Sequence, residues 1–204
     1  NDLSFKMNDQ ILNNIGLRNN INFYFKNLNS VGKNVSTYKN SPQIEAQSII
    51  EINSELPLSK ITEFNNQTII PRLSLRINPS DMKNHNSDKR KVNTDNIFDI
   101  NRLGIEDSLE SGYSFTAGFD FKSESIDDSG KFIQFKLASV FRDQEENNIP
   151  TQTSLNKKNS NIFGSFDYSF SKYINMEYDF AIDNKIERFK YNSIGLDLSL
   201  NNFI

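Results

Sequence analysis

The residues of this chain that are best suited to chemistry are carboxylates in a polar stretch near its middle. Glu106, Asp107 and Glu110 lie close together in the sequence, and carboxylates held at a fixed separation can act as general acid and base or bind a cation. No periodic pattern fixes their separation, and no nucleophile or glycine-rich cradle accompanies them. The same is true of Glu145 and Glu146. We therefore expect no catalytic residue and no enzymatic activity.

The only histidine is a second candidate, as a metal ligand. His85 has Asp81 and Asp88 nearby, and an imidazole with carboxylates can coordinate a metal ion. A solvated loop histidine is the simpler interpretation of such a polar segment. The chain also lacks cysteine, which removes disulfides and thiolate metal sites. The sequence therefore predicts neither a metal nor any other cofactor.

The elements that must position these residues are β-strands. Apolar and polar residues alternate strictly along 113–123, and alternation with period two is the signature of a half-buried strand. The same pattern recurs along most of the chain and predicts an all-β, antiparallel structure. The nine predicted strands are 2–7, 17–28, 43–53, 67–78, 113–123, 131–142, 161–171, 174–184 and 190–201.

The composition excludes two further possibilities, a nucleic-acid-binding protein and a protein with a transmembrane helix. The net charge is −3 with a pI near 5.3, and lysines and arginines are scattered, so we expect no nucleic-acid partner. No apolar run reaches the roughly 18 residues that a transmembrane helix needs. A membrane protein of this composition would have to cross with strands.

Two architectures fit the alternation. Most of the predicted strands have about ten residues, close to the 9–11 of a tilted transmembrane strand, and short turns alternate with the long polar segments 79–112 and 144–160, as in outer-membrane barrels. A soluble β-sandwich would show the same alternation. Aromatic residues near strand ends favour a barrel, in which they form interfacial girdles, although the chain has no tryptophan. These aromatic residues are Tyr113, Phe141, Tyr168, Tyr173 and Tyr178.

Three stretches carry a recognisable combination of motifs: "PRLSLRI", the loop "NRLGIEDSLESG" and the strand "YSFTAGFDF". Together they resemble the LptD family of lipopolysaccharide-assembly outer-membrane proteins. The family has a Glu-Pro-Arg-like motif in the first, the pattern Asn-Arg-x-x-Gly-x-Asp-Arg-x-Glu-x-Gly in the second and a glycine in the third. The matching positions are Pro71 and Arg72, then Asn101, Arg102, Asp107, Glu110 and Gly112, then Gly118. The chain departs from the loop pattern at Ile105 and Ser108. The resemblance covers most of residues 43 to 201.

The resemblance implies transport without chemistry. An LptD-like barrel of about 26 strands receives lipopolysaccharide from an LptA-like periplasmic bridge through an N-terminal jellyroll domain, encloses an LptE-like plug lipoprotein, and releases its cargo sideways among the lipids of the bacterial outer membrane. For Arg102 we expect a structural role, because its planar fork suits bidentate pairing with a carboxylate. Such a pair would pin the long loop into the barrel mouth.

We expect residues 1–204 to be a partial barrel domain, without the jellyroll and without the first and last strands. Nine strands are an odd number, whereas bacterial outer-membrane barrels close with an even one. A basic cluster, "SDKRK" at 87–91, could contact lipopolysaccharide phosphates. The alternatives are a porin-like channel and a soluble β-sandwich binding module.

Overall fold

The computed structural model describes residues 1–12, 15–33, 40–128 and 130–199, which contain no α-helix. The all-β prediction is confirmed. A 3-10 turn spans Thr151–Thr153. The strands are β1 (Asp2–Lys6), β2 (Gln10–Leu12), β3 (Leu17–Ser30), β4 (Gln43–Glu55), β5 (Leu58–Ile61), β6 (Asn65–Asn78), β7 (Gly112–Ser125), β8 (Phe132–Arg142), β9 (Ile162–Ser171), β10 (Ile174–Ile182) and β11 (Phe189–Leu198).

The strands form one antiparallel sheet in the order β1-β3-β4-β6-β7-β8-β9-β10-β11, with β2 beside β3 and β5 beside β6. The nine strands of this path correspond to the nine predicted strands. The predicted end of the last one, at 200–201, lies outside the described residues. The prediction missed β2, which is too short to show a period, and β5. Pro57 separates β5 from β4, because proline has no N–H for the ladder.

The two faces of the sheet have the reverse of the usual exposure. Apolar side chains on one face, here called the outer face, are exposed: Leu75 is 41% accessible and Ile194 is 76% accessible. On the opposite, inner face, Glu51, Arg76 and Thr116 are at most 2% accessible. One face of the sheet therefore exposes its apolar side chains while polar side chains are buried on the other, which is unusual for a soluble domain.

Two long loops cover the inner face. Loop 79–111 connects β6 to β7, and loop 143–161 connects β8 to β9. Their apolar residues pack with Ala138, Val140 and Phe163 of the strands to form the core. The loop residues in this core are Met82, Val92, Ile97, Leu103, Ile105, Ile149 and Leu155. The hydrophobic core thus lies between the sheet and its own loops.

The sheet is open across the described residues, with β1 and β11 at its two ends. A soluble sandwich would need a second sheet against the apolar face, and no such sheet occurs among these residues. In the same part of the chain, no helix is both long and apolar enough to cross a membrane.

Candidate functional site

The site is built where loop 79–111 returns to the sheet and enters β7. Leu103, Ile105 and Leu109 are buried, and between them the backbone turns, with the N–H of Gly104 donating to the carbonyl of Asn101 at 2.9 Å. The side chain of Asn101 donates to the carbonyl of Ile105 at 3.2 Å. This arrangement points Arg102 at the inner face of β7.

Arg102 pairs with Glu110 through both arms of its guanidinium. Nε donates to Oε2 at 2.7 Å and Nη2 donates to Oε1 at 2.5 Å. The remaining N–H groups of Arg102 donate to the hydroxyls of Thr116 at 2.9 Å and Ser114 at 3.1 Å, both on β7. The predicted bidentate pair is present, and it ties the loop to the strand that follows.

Two further arginines interact with the Glu110 carboxylate. Arg142 Nη1, at the end of β8, donates to Oε1 at 2.5 Å, and Arg76 Nη1, on β6, lies 3.5 Å from Oε2. Burial would raise the pKa of Glu110, but the charge and hydrogen bonds of Arg102, followed by the charges of Arg76 and Arg142, outweigh burial and lower the pKa to about 2. The carboxylate therefore remains charged inside the protein.

Arg76 extends this network to a second carboxylate. Its Nε donates to Glu51 Oε1 at 3.0 Å, and Glu51 also accepts from the amides of Asn22 at 2.9 Å and Asn53 at 2.8 Å. The residues Glu51, Arg76, Arg102, Glu110 and Arg142 are called the arginine–glutamate network below. It has a formal charge of +1, from three guanidinium groups and two carboxylates, and each side chain is at most 5% accessible.

Strand register builds the network. Asn22, Glu51, Arg76, Ser114 and Arg142 occupy directly paired positions on β3, β4, β6, β7 and β8. Directly opposite residues of antiparallel strands lie on the same face, so these five form one row across the inner face. Arg102 and Glu110 belong to loop 79–111 and contact this row.

Two glycines of β7 allow close approaches, Gly112 beside this row and Gly118 farther along the strand, opposite Arg72. Gly112 begins β7 at a φ of +83°, and a Cβ there would lie 2.8 Å from Arg142 Nη2. A Cβ at Gly118 would lie 2.5 Å from the carbonyl oxygen of Leu137 and 3.1 Å from the ring of Phe98. Both positions therefore need glycine for space, and Gly112 needs it for its backbone conformation as well.

The other predicted site residues lie outside the network. Arg72 pairs with Glu55 at 2.8 Å and its guanidinium lies 4.3 Å from the ring centroid of Phe98. Pro71 is within β6, opposite Phe119. The contact between Arg72 and Phe98 attaches loop 79–111 to the sheet outside the network.

Asp107 belongs to a separate cluster with the histidine. Its carboxylate lies 3.3 Å from His85 Nε2 and 3.5 Å from Lys83 Nζ, and Asp88 lies 3.0 Å from His85 Nδ1. In the described ranges, no group of three or more His, Cys, Asp or Glu side chains is arranged to hold a metal ion. At the two positions that depart from the family pattern, Ile105 is buried in the core and Ser108 accepts a hydrogen bond from the N–H of Lys83 at 3.0 Å.

Sequence reasoning missed Glu51, Arg76 and Arg142, although they complete the site. Each is a charged residue at an inner-face position of a strand, and most strands have such residues. Only the strand register, which places them in one row across the inner face, distinguishes them from the other charged residues.

Comparison with known families defines the class of protein. The family model described as "LptD: LPS transport system D" matches residues 45–204, and a search of curated proteins gave no match. The chain therefore belongs to the LptD family. The predicted resemblance is confirmed, and with it an association with lipopolysaccharide transport at the outer membrane. The family is a transport component and is not known for catalysis.

Proposed function

We propose that this chain is part of a transmembrane β-barrel in the bacterial outer membrane that inserts lipopolysaccharide into the outer leaflet. The observation that carries the proposal is the reversed exposure of the sheet. Its outer face presents apolar side chains from the first strand to the last, among them Phe5, Ile52, Leu75, Phe115 and Ile194. Such a face is stable against lipid and unstable in water.

The open ends of the sheet support a larger barrel. Unpaired strand edges are not stable in hydrocarbon, because every exposed backbone group there costs several kcal/mol. In the proposal, further strands pair with β1 and β11, an LptE-like lipoprotein occupies the lumen, and an LptA-like bridge delivers cargo to an N-terminal jellyroll domain. Residues 1–204 are then one part of the barrel wall.

The arginine–glutamate network has a structural role in this proposal. It fixes loop 79–111 against β6, β7 and β8 on the inner face, so the loop folds into the mouth of the barrel. A buried charged network of this kind holds one defined arrangement, because a displaced loop would leave Arg142 without its carboxylate and Arg102 without the hydroxyls of Ser114 and Thr116.

Depletion of the full-length protein in its native cells tests the proposed function. Newly made lipopolysaccharide is pulse-labelled, and its arrival at the cell surface is measured with an impermeant enzyme that modifies only exposed molecules. We expect surface arrival to fall on depletion and to recover with the wild-type gene. A porin-like channel would give the opposite result: unchanged lipopolysaccharide arrival and slower uptake of small solutes.

A further inference from the structure

A shallow pocket lies on the outer face, at the rim of the sheet that is formed by the short turns 62–64 and 126–131. Its volume is about 220 Å³, and side chains of β5, β6 and β7 line it. Both long loops leave the sheet at the other rim, because they follow the far ends of β6 and β8. The pocket is therefore remote from the arginine–glutamate network and from loops 79–111 and 143–161.

The pocket spans a border between apolar and polar side chains of the outer face. Leu58, Ile69 and Phe121 are directly paired across β5, β6 and β7 and form an apolar row. Leu58 is 47% accessible and Ile69 is 39% accessible. The next outer-face row towards the rim is polar on these strands and consists of Lys60, Gln67 and Ser123. On a membrane strand, such a change marks the level at which hydrocarbon gives way to lipid headgroups.

The unpaired edge of β5 indicates the same level. Strand β5 pairs with β6 alone, and the pairing of β3 with β4 stops at Arg18 opposite Glu55, before β5 begins. Among the described residues, no second strand pairs with Leu58–Ile61. The N–H and C=O groups of this edge need polar partners, because each unpaired group is costly in hydrocarbon. Water and the phosphate and ester oxygens of lipids supply such partners at the headgroup level.

Lys60 gives the pocket an uncompensated positive charge. The residue is exposed and lines the pocket, and no carboxylate in the described ranges forms an ion pair with it. Lys131, at the same rim, is different because its ammonium group lies 3.3 Å from the Asp128 carboxylate. The pocket thus combines an apolar floor with a free ammonium group at its edge.

We propose that this pocket binds a glycerophospholipid of the bilayer leaflet on the side of the short turns. One acyl chain lies on the apolar row of Leu58, Ile69 and Phe121, and the lipid phosphate contacts the Lys60 ammonium group, since lysines at a membrane surface attract anionic lipids. The Gln67 amide can donate a hydrogen bond to a phosphate or ester oxygen. This inference rests on the proposed function, because only an outer face that lies against lipid meets phospholipids.

Native mass spectrometry of the full-length protein in detergent tests the site with dioleoyl phosphatidylglycerol as the probe. We expect this lipid to bind at least about fivefold more tightly than dioleoylglycerol, which has the same acyl chains and no phosphate. Lys60→Gln should weaken binding of the phosphatidylglycerol about fivefold and leave dioleoylglycerol unchanged. Leu58→Asn should weaken binding of both lipids. Lys131→Gln makes the same change of charge at the same rim outside the pocket, and as the matched control it should change neither affinity.

Equal affinity for the two lipids, or phosphatidylglycerol binding that is unaffected by Lys60→Gln, would overturn the proposal. Displacement of the phosphatidylglycerol by an equimolar amount of lipopolysaccharide would assign the pocket to the cargo instead, and would overturn it as well. Failure of the proposed function is distinguishable, because a protein whose outer face does not lie against lipid would remain in solution without detergent and bind neither lipid. Loss of the Lys60 effect alone removes only the phospholipid site.

Discussion

Arg102 and Glu110 are joined by two parallel hydrogen bonds of 2.7 and 2.5 Å, and their side chains are 0% and 5% accessible. The pair fixes the end of loop 79–111. Glu110 also forms ion pairs with Arg76 of β6 and Arg142 of β8. The Glu110 carboxylate thus holds the loop to β6 and β8, and Arg102 holds it to β7. The stability of this part of the sheet should depend on this pair.

Arg102→Ala should destabilise the folded protein by about 3–5 kcal/mol, because it removes the bidentate partner of a buried carboxylate. Arg102→Lys should recover only part of this loss, since an ammonium group cannot reproduce the bidentate fork. The measurement is the temperature at which the folded, fast-migrating form of the full-length protein is lost on a gel. Lys89→Ala, an exposed change in the same loop, is the control. Equal stability of all three variants would contradict the assigned role.

Glu110 should also make stability depend on acid pH. Its pKa is about 2 in the folded protein against an ordinary value of 4.5, so the unfolded chain binds the proton more readily. The stabilisation is therefore complete above pH 4.5 and declines as the pH falls towards 2. Glu110→Gln cannot show this dependence. The stability difference between wild type and Glu110→Gln should shrink between about pH 7 and about pH 3, and a constant difference would contradict the lowered pKa.

Gly112→Ala should destabilise the protein more than Gly16→Ala. Both glycines have positive φ, +83° and +74°, but a Cβ at Gly16 meets nothing within 4 Å, whereas one at Gly112 meets Arg142 Nη2. Backbone strain alone should cost about 1 kcal/mol at Gly16, and displacement of Arg142 should add about 1–3 kcal/mol at Gly112. Thermal stability of the two variants checks this order. Equal destabilisation of the two variants would contradict the prediction, because it would mean that Arg142 can move without any loss of stability.

The strands could be predicted because successive residues of a strand lie on opposite faces of the sheet, which gives the sequence an alternation with period two. That pattern places nine strands within a few residues of their observed bounds, and it assigns Phe115 and Thr116 to opposite faces. It could not say which face is buried, since a sandwich and a barrel share it. β2 and β5 carried too few residues for any period to appear.

Only the part of the site whose residues lie close together in the sequence could be predicted. Arg102 and Glu110 are eight residues apart, and the fork geometry of arginine suggested that Arg102 pairs with a carboxylate, without showing which one. Glu51, Arg76 and Arg142 come from three different strands, and their meeting depends on pairings such as Glu51 with Arg76. Register of this kind is set by the whole sheet, so local sequence patterns do not reveal it.

The central claim is that the apolar outer face lies against lipid and the polar inner face against water. It is tested most directly by spin labels on adjacent residues of the full-length protein in bilayers. Labels at Phe121 and Ile194 should be accessible to oxygen, which partitions into lipid, and shielded from a water-soluble nickel complex. Labels at Asp120 and Ser193 should show the reverse. Outer-face labels that collide freely with the nickel complex would contradict the barrel.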